Sequence, residues 1–214
     1  MKAVQVKICG ITSRRDLEVV VEAGADAVGF VVGSPRSPRN VTLEMARRLI
    51  RLTPAYVEPV AVTVERDPLL LKKMVSYLGV PALQVHVTRE PEALRRALPG
   101  IRLIRALSIG HQFADGVGCE VSHFDAVLLD SSGGNGYGGT GIVHDWRASR
   151  RIRDLLYPKQ VIVAGGLRPE NVSECIRTVR PYGVDVSSGV ELRPGIKDPK
   201  KVRQFVRAAR EAED

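Results

Sequence analysis

Residues 4–32 read Val-Gln-Val-Lys-Ile-Cys-Gly-Ile-Thr-Ser-Arg-Arg-Asp-Leu-Glu-Val-Val-Val-Glu-Ala-Gly-Ala-Asp-Ala-Val-Gly-Phe-Val-Val. The stretch opens on an alternation. Val4, Val6 and Ile8 share one face of an extended chain, and Gln5, Lys7 and Cys9 share the other. Gly10 ends the run. Ser13 stands where an N-cap would serve a helix over Arg14–Ala23, and Gly24 closes it. A second apolar run, Ala27–Val32, follows at once. Strand, helix and strand in such quick succession make one βα unit and the start of the next.

The unit repeats outward along the chain. Further strands are expected at Val57–Val64, Ala82–His86, Ile101–Leu107, Asp125–Leu129, Gln160–Ala164 and Val184–Val186. Their starts recur about every 26 residues, the length of one βα unit. Thr42 caps a helix over Leu43–Leu52, and Asp67-Pro68 opens one that Gly79 closes. Arg168-Pro169-Glu170 opens another, running to about Val179, and Pro199 opens the last. Ser108–Glu120 is Gly-rich and shows no clear helical period. Eight alternating units with no linker predict an α/β fold, a single (β/α)8 TIM barrel, with residues 1–214 as one catalytic domain.

Composition agrees and excludes several classes. The 214 residues are 44% hydrophobic and 26% charged, as in soluble globular chains. No run reaches the ~18 apolar residues of a membrane helix, and the first residues lack an apolar signal core. A cytoplasmic protein with no membrane partner is expected. The net charge of +8 invites a nucleic-acid reading. Its basic residues are dispersed, however, and its ten aromatic residues do not interleave with them as a stacking platform would. An anionic small molecule accounts for local basic residues as well. Cys9, Cys119 and Cys175 form no Cys-x-x-Cys pair, and His86, His111, His123 and His144 show no metal-ligand spacing. Neither a metal nor a disulfide framework is expected.

Barrel enzymes place their sites at the carboxyl ends of the strands, so the residues after each strand matter most. Cys9 is the last inward residue of the first strand. A lone cysteine is often a small buried hydrophobe, but this position favours chemistry. Gly33–Asn40 carries two arginines, Arg36 and Arg39, and two prolines, a stiff loop able to grip an anion or merely to face solvent. Gln84 and His86 are polar in an apolar strand, which places them in the lumen, as ligand contacts or as a satisfied core pair. Asp130 follows an apolar strand directly, where partial desolvation favours the protonated carboxyl of a general acid. The run after it, Ser131–Gly141, has six glycines in eleven residues and could close over a ligand. Gly165-Gly166 and Ser187-Ser188-Gly189 follow the seventh and eighth strands, the usual phosphate site of such barrels.

These residues together resemble the phosphoribosylanthranilate isomerase family of tryptophan biosynthesis, over essentially the whole chain. The motifs are Lys7-Ile8-Cys9-Gly10-Ile11-Thr12, Gly24–Phe30, Ser37-Pro38-Arg39, Leu128-Leu129-Asp130 and Gly138–Gly141 with Asp145-Trp146. Ala164-Gly165-Gly166-Leu167 and Asp185–Glu191 complete them. The pattern departs at His86-Val87, where the family continues to glycine, and in a longer loop after Asp130.

The resemblance implies an Amadori rearrangement without metal or organic cofactor. In it Cys9 is the general base, Asp130 the general acid, and Arg39 the reader of the anthranilate carboxylate. Gln84, His86 and Asp185 are expected to touch substrate. Gly165, Gly166, Ser187, Ser188 and Gly189 are expected to hold its phosphate. Either a monomer or a homodimer is compatible. Two rivals remain. A ribulose-phosphate epimerase would want metal-binding His and Asp at several strand ends, and only His86 is so placed. A non-catalytic anion-binding barrel would need no pairing of Cys9 with Asp130.

Overall fold

The computed structural model describes residues 3–86, 90–109, 121–131 and 145–212. Cys119, His111, His144, Val87 and the glycine motifs between 132 and 144 lie outside the described residues.

Eight parallel strands form a closed barrel in sequence order. They are β1 Gln5–Cys9, β2 Ala27–Val31, β3 Glu58–Thr63, β4 Ala82–Val85, β5 Arg102–Ser108, β6 Ala126–Asp130, β7 Gln160–Val163 and β8 Gly183–Val186. β8 returns to β1 in a register that sets Asp185 beside Lys7. Between and after the strands run α1 Arg14–Glu22, α2 Leu43–Leu52, α3 Pro68–Leu78, α4 Pro91–Ala97, α5 Trp146–Leu156, α6 Val172–Val179 and α7 Pro199–Glu211. This is the (β/α)8 barrel expected from the repeat.

The alternation in each strand sorts side chains into two layers. Val6, Ile8, Val28, Phe30, Ala61, Leu83, Val85 and Leu103 face the helices, where they meet Leu17, Val20, Leu49, Leu71 and Phe205. Each large apolar side chain buried there contributes about 1.5–3 kcal/mol. Cys9, Val31, Val60, Val62, Ala82, Ile104, Ala106, Leu128, Ile162 and Ala164 pack together inside the lumen. Cys9 is thus the last inward side chain of β1.

Local signals set the helix starts. Ser13 accepts from the Asp16 N–H at 3.1 Å, and Thr42 from the Met45 N–H at 3.1 Å. Asp67 accepts from Leu69 and Leu70, Asp145 from Arg147, and Asp198 from Lys200 and Lys201. Gly79 ends α3 in the left-handed conformation, at φ +70°.

The amino-terminal rim uses one device twice. Asp26, just before β2, accepts from the Val6 N–H of β1 at 2.6 Å and from Arg210 at 2.7 Å. Asp125, just before β6, accepts from the Leu103 N–H of β5 at 2.8 Å and from Arg95 at 2.6 Å. Each aspartate ties the start of one strand to its neighbour and to a helix. Asp26 also belongs to the Gly24–Phe30 motif, so part of that motif is structural.

Three details differ from the sequence reading. The helix expected from Arg168 begins only at Val172. Asn171 accepts from the Arg168 N–H and donates to Gly166 O, which holds Pro169 and Glu170 in a separate turn. The sequence reading names neither α4 nor α5. It also contains no hairpin after β8, where a 3-10 turn at Ser188–Val190 leads into β9 Glu191–Arg193 and β10 Ile196–Lys197, antiparallel to each other.

Candidate active site

At the carboxyl ends of the strands one pocket is lined by Cys9, Arg36, Arg39, Gln84, His86, Asp130, Gly165, Gly166, Asp185, Ser187, Ser188 and Gly189. Every residue named from the sequence as a site candidate borders it.

β1 supplies Lys7 and Cys9 from its inward face. Lys7 Nζ donates to Asp185 Oδ2 at 3.0 Å, and both side chains are buried. Burial raises the Cys9 pKa, while the Lys7 charge pulls it back, Asp185 pushes it further up, and Lys197 again lowers it. Burial wins, so the free protein favours the thiol. The surrounding glycines make room for this sulfur. A Cβ on Gly29 of β2 would stand 2.7 Å from Cys9 Sγ. Gly10 has φ +81°, and a Cβ there would stand 2.6 Å from Arg39 Cδ. The Arg39 stem therefore crosses the backbone directly after Cys9, and neither glycine tolerates a side chain.

β4 supplies Gln84 and His86. Gln84 is 2% exposed, and its Oε1 has no hydrogen-bond partner among the described residues. His86 is mostly buried. Burial, helped by the Lys7 and Arg105 charges, lowers its pKa to about 4, so the ring is neutral at working pH. Arg105 Nη1 donates to the His86 carbonyl and fixes the backbone there.

Asp130 ends β6, and its carbonyl accepts from the Ile109 N–H at 2.8 Å. Asp130 as a whole is 8% exposed and borders the pocket. Gly165, at φ +81°, lets the loop after β7 pass close by: a Cβ would stand 2.7 Å from Asp130 Oδ1 and 2.2 Å from Ser131 Oγ. Gly189 fits against the same loop, since a Cβ there would stand 1.9 Å from Leu167 O. The two glycine turns thus pack backbone to backbone. Ser187 Oγ and Asp185 Oδ1 have no hydrogen-bond partner among the described residues.

Arg39 is held differently from the expectation. Its Nε and Nη2 donate to the two oxygens of Glu191 at 2.8 and 2.7 Å, a bidentate pair. The fork edge expected to meet a ligand faces Glu191, and Nη1 is the group left for one. Glu191 Oε1 also accepts from Lys197 Nζ at 3.0 Å. Lys197 in turn donates to Ser187 O at 3.1 Å. The sequence reading assigned no role to Glu191 or Lys197. Its one available signal was Gly195, which turns β9 into β10 at φ +82°.

Among the described residues no group of three His, Cys, Asp or Glu is arranged to hold a metal ion. No helix among them is long and apolar enough to cross a membrane.

Fold and pocket define a (β/α)8-barrel enzyme with its chamber at the carboxyl ends of the strands. Comparison with known proteins specifies which. A sequence model described as N-(5'phosphoribosyl)anthranilate (PRA) isomerase matches residues 6–208. The N-(5'-phosphoribosyl)anthranilate isomerase of Methanothrix thermoacetophila is 43% identical over 210 residues, covering 96% of this chain and 98% of that one. A solved phosphoribosyl anthranilate isomerase from Thermotoga maritima superposes with a TM-score of 0.86 at 38% identity, covering 97% and 99%. Another, in complex with reduced 1-(o-carboxyphenylamino)-1-deoxyribulose 5-phosphate, gives 0.83 at 37% identity, covering 97% and 99%. The chain belongs to the phosphoribosylanthranilate isomerase family, the isomerases of tryptophan biosynthesis.

Proposed function

We propose that this chain converts N-(5′-phosphoribosyl)anthranilate into 1-(2-carboxyphenylamino)-1-deoxyribulose 5-phosphate, with Cys9 as general base and Asp130 as general acid. The supporting observation is one pocket bordered by both groups, by the Arg36–Arg39 loop and by the glycine turns after β7 and β8.

The chemistry suits these groups. Asp130 gives its proton to the ribose ring oxygen as the C1′–O bond breaks. The ring opens to a Schiff base whose cationic nitrogen acidifies the C2′ hydrogen. Cys9 thiolate removes that hydrogen, and the enolamine tautomerises to the ketone. The substrate is an aldose and the product a ketose, so oxidation at C2′ and reduction at C1′ balance within one molecule. Proton transfers suffice, and each is typically worth ~10²–10⁴-fold. Two strands, β7 and β8, separate β1 from β6 around the barrel, so acid and base reach the sugar from different sides.

Asp185 Oδ1 and Gln84 Oε1 are buried acceptors that suit sugar hydroxyls, and neutral His86 can donate or accept beside them. Arg39 Nη1 and Arg36 face the carboxylated ring. Gly165, Gly166, Ser187, Ser188 and Gly189 cradle the phosphate. Residues 1–214 act as one catalytic unit in the cytoplasm, as a monomer or homodimer, with no cofactor. The test is loss of the substrate's anthranilate fluorescence on adding purified protein. No turnover of this substrate, with the phosphate site intact by inorganic phosphate binding, would leave an anion-binding barrel instead.

A further inference from the structure

We propose that Glu191 is a positioning residue: it aims Arg39 at one anionic end of the substrate and, through Lys197, holds the loop that cradles the other. The inference rests on the reading of Arg39 as carboxylate reader and of the loops after β7 and β8 as the phosphate site.

Glu191 closes the Asp185–Glu191 motif, opens β9 and takes no part in the proton transfers. Its side chain is 4% exposed, and its two oxygens serve two cations. Oε2 accepts from Arg39 Nη2 at 2.7 Å. Oε1 accepts from Arg39 Nε at 2.8 Å and from Lys197 Nζ at 3.0 Å. Lys197, with its side chain 0% exposed, reaches on to Ser187 O at 3.1 Å. Direct contacts thus lead without a break from the loop after β2 to the loop after β8. Burial works to raise the Glu191 pKa, but the bonds from Arg39 and the Lys197 charge bring it below its ordinary value, so the carboxylate is charged.

The hairpin that carries Glu191 and Lys197 is itself fixed. Thr12 Oγ1 donates to Gly195 O at 2.5 Å, and the Lys197 N–H donates to Asp16 Oδ1 at 3.2 Å. Lys201 Nζ donates to Glu191 O at 3.0 Å. At the turn, a Cβ on Gly195 would stand 3.0 Å from Pro38 O, so the hairpin lies directly against the Arg39 loop. An arginine side chain has many rotamers, and a two-point bond to a fixed carboxylate selects one of them. Nη1 is then presented to a ligand in one direction.

Sign separates this role from simple electrostatics. Glu191 is an anion beside two sites for anions. As a bare charge it repels the ligand, and its removal should tighten binding at both ends. As the post that holds Arg39 and Lys197, its removal should weaken both. A role confined to stability would weaken every ligand alike, whatever anion it carries.

The test is calorimetric titration of the full-length protein with three probes: the reduced product, the reduced product without its ring carboxylate, and inorganic phosphate. The affinity ratio of the first two isolates the carboxylate end, and phosphate reports the other. Glu191→Ala should lower that ratio about tenfold and weaken phosphate binding about threefold or more. Arg39→Ala should lower the ratio alone. Lys197→Met leaves the Arg39 fork on Glu191 and should weaken phosphate alone. Unchanged or tighter binding at either end in folded Glu191→Ala would overturn the proposal. Should that variant not fold, Lys197→Met decides, and a lowered ratio or unweakened phosphate binding overturns it. A wild-type ratio near one, or a wild type that binds no phosphate, would overturn the underlying reading of the two ends, and the proposal with it.

Discussion

At the amino-terminal rim Asp26 and Asp125 each meet both a backbone N–H and a guanidinium. At the carboxyl rim Asp185 keeps one oxygen, Gln84 its amide oxygen and Ser187 its hydroxyl without a hydrogen-bond partner among the described residues. Both rims carry charge, and at these two aspartates the protein itself meets it. Buried polar atoms without partners cost stability, and they persist where a ligand is to supply the missing bonds. The lower rim is therefore built for cohesion and the upper rim for substrate, the division expected of such barrels. Substitutions should separate the same way: upper-rim changes act on turnover, lower-rim changes on stability alone.

The largest expected effect is at Asp130. Asp130→Asn keeps the shape but cannot give a proton, so kcat should fall at least ~10²-fold with the melting temperature nearly unchanged. A variant that loses stability instead would move Asp130 into the structural group.

Next comes the acid sensitivity of His86. Its folded pKa of about 4 lies below the ordinary 6.5, so the unfolded chain takes up the proton first. Its stabilisation is complete above pH 6.5 and is lost as pH falls toward 4, by about 3 kcal/mol at roughly 1.4 kcal/mol per pH unit. Denaturant unfolding from pH 7 to 4 should show a weaker dependence in His86→Gln. Equal slopes in both proteins would mean that His86 is not held neutral.

Arg39→Ala should weaken substrate binding by about 1.5–3 kcal/mol, as for one charged hydrogen bond. An analogue lacking the carboxylate should bind wild type and variant alike. Equal weakening of both would instead assign the loss to the Glu191 pair and make Arg36 the next carboxylate reader.

The smallest effects belong to the lower rim and the caps. Asp26→Asn should cost about 1–2 kcal/mol of stability by weakening bonds to Val6 and Arg210. Ser13→Ala should cost about 1 kcal/mol through a lost N-cap. Both should leave kcat within error. A large kcat loss in Asp26→Asn would break the division between rims.

The fold was legible because its signals are local. Alternation in residues 4–9 sets the two faces of β1, and Ser13, Thr42, Asp67 and Asp198 each cap a helix that the sequence announces. Residues at the strand ends were legible for the same reason, since a barrel brings all such ends together. The hairpin was not, because strands of three and two residues show no alternation to read. Lys197 could not be told from a surface lysine, since its burial depends on Glu191 and Ser187 folding over it. The pairing of Arg39 with Glu191 was not legible for a related reason. Its partner stands 152 residues later, and no local pattern links them.

Cys9→Ala tests the central claim most directly. Cys9 is small and buried, so alanine should keep the fold, with a melting temperature close to wild type. At saturating N-(5′-phosphoribosyl)anthranilate, kcat should fall by at least ~10²-fold while substrate binding persists. A folded Cys9→Ala protein that turns over at near the wild-type rate would contradict the account.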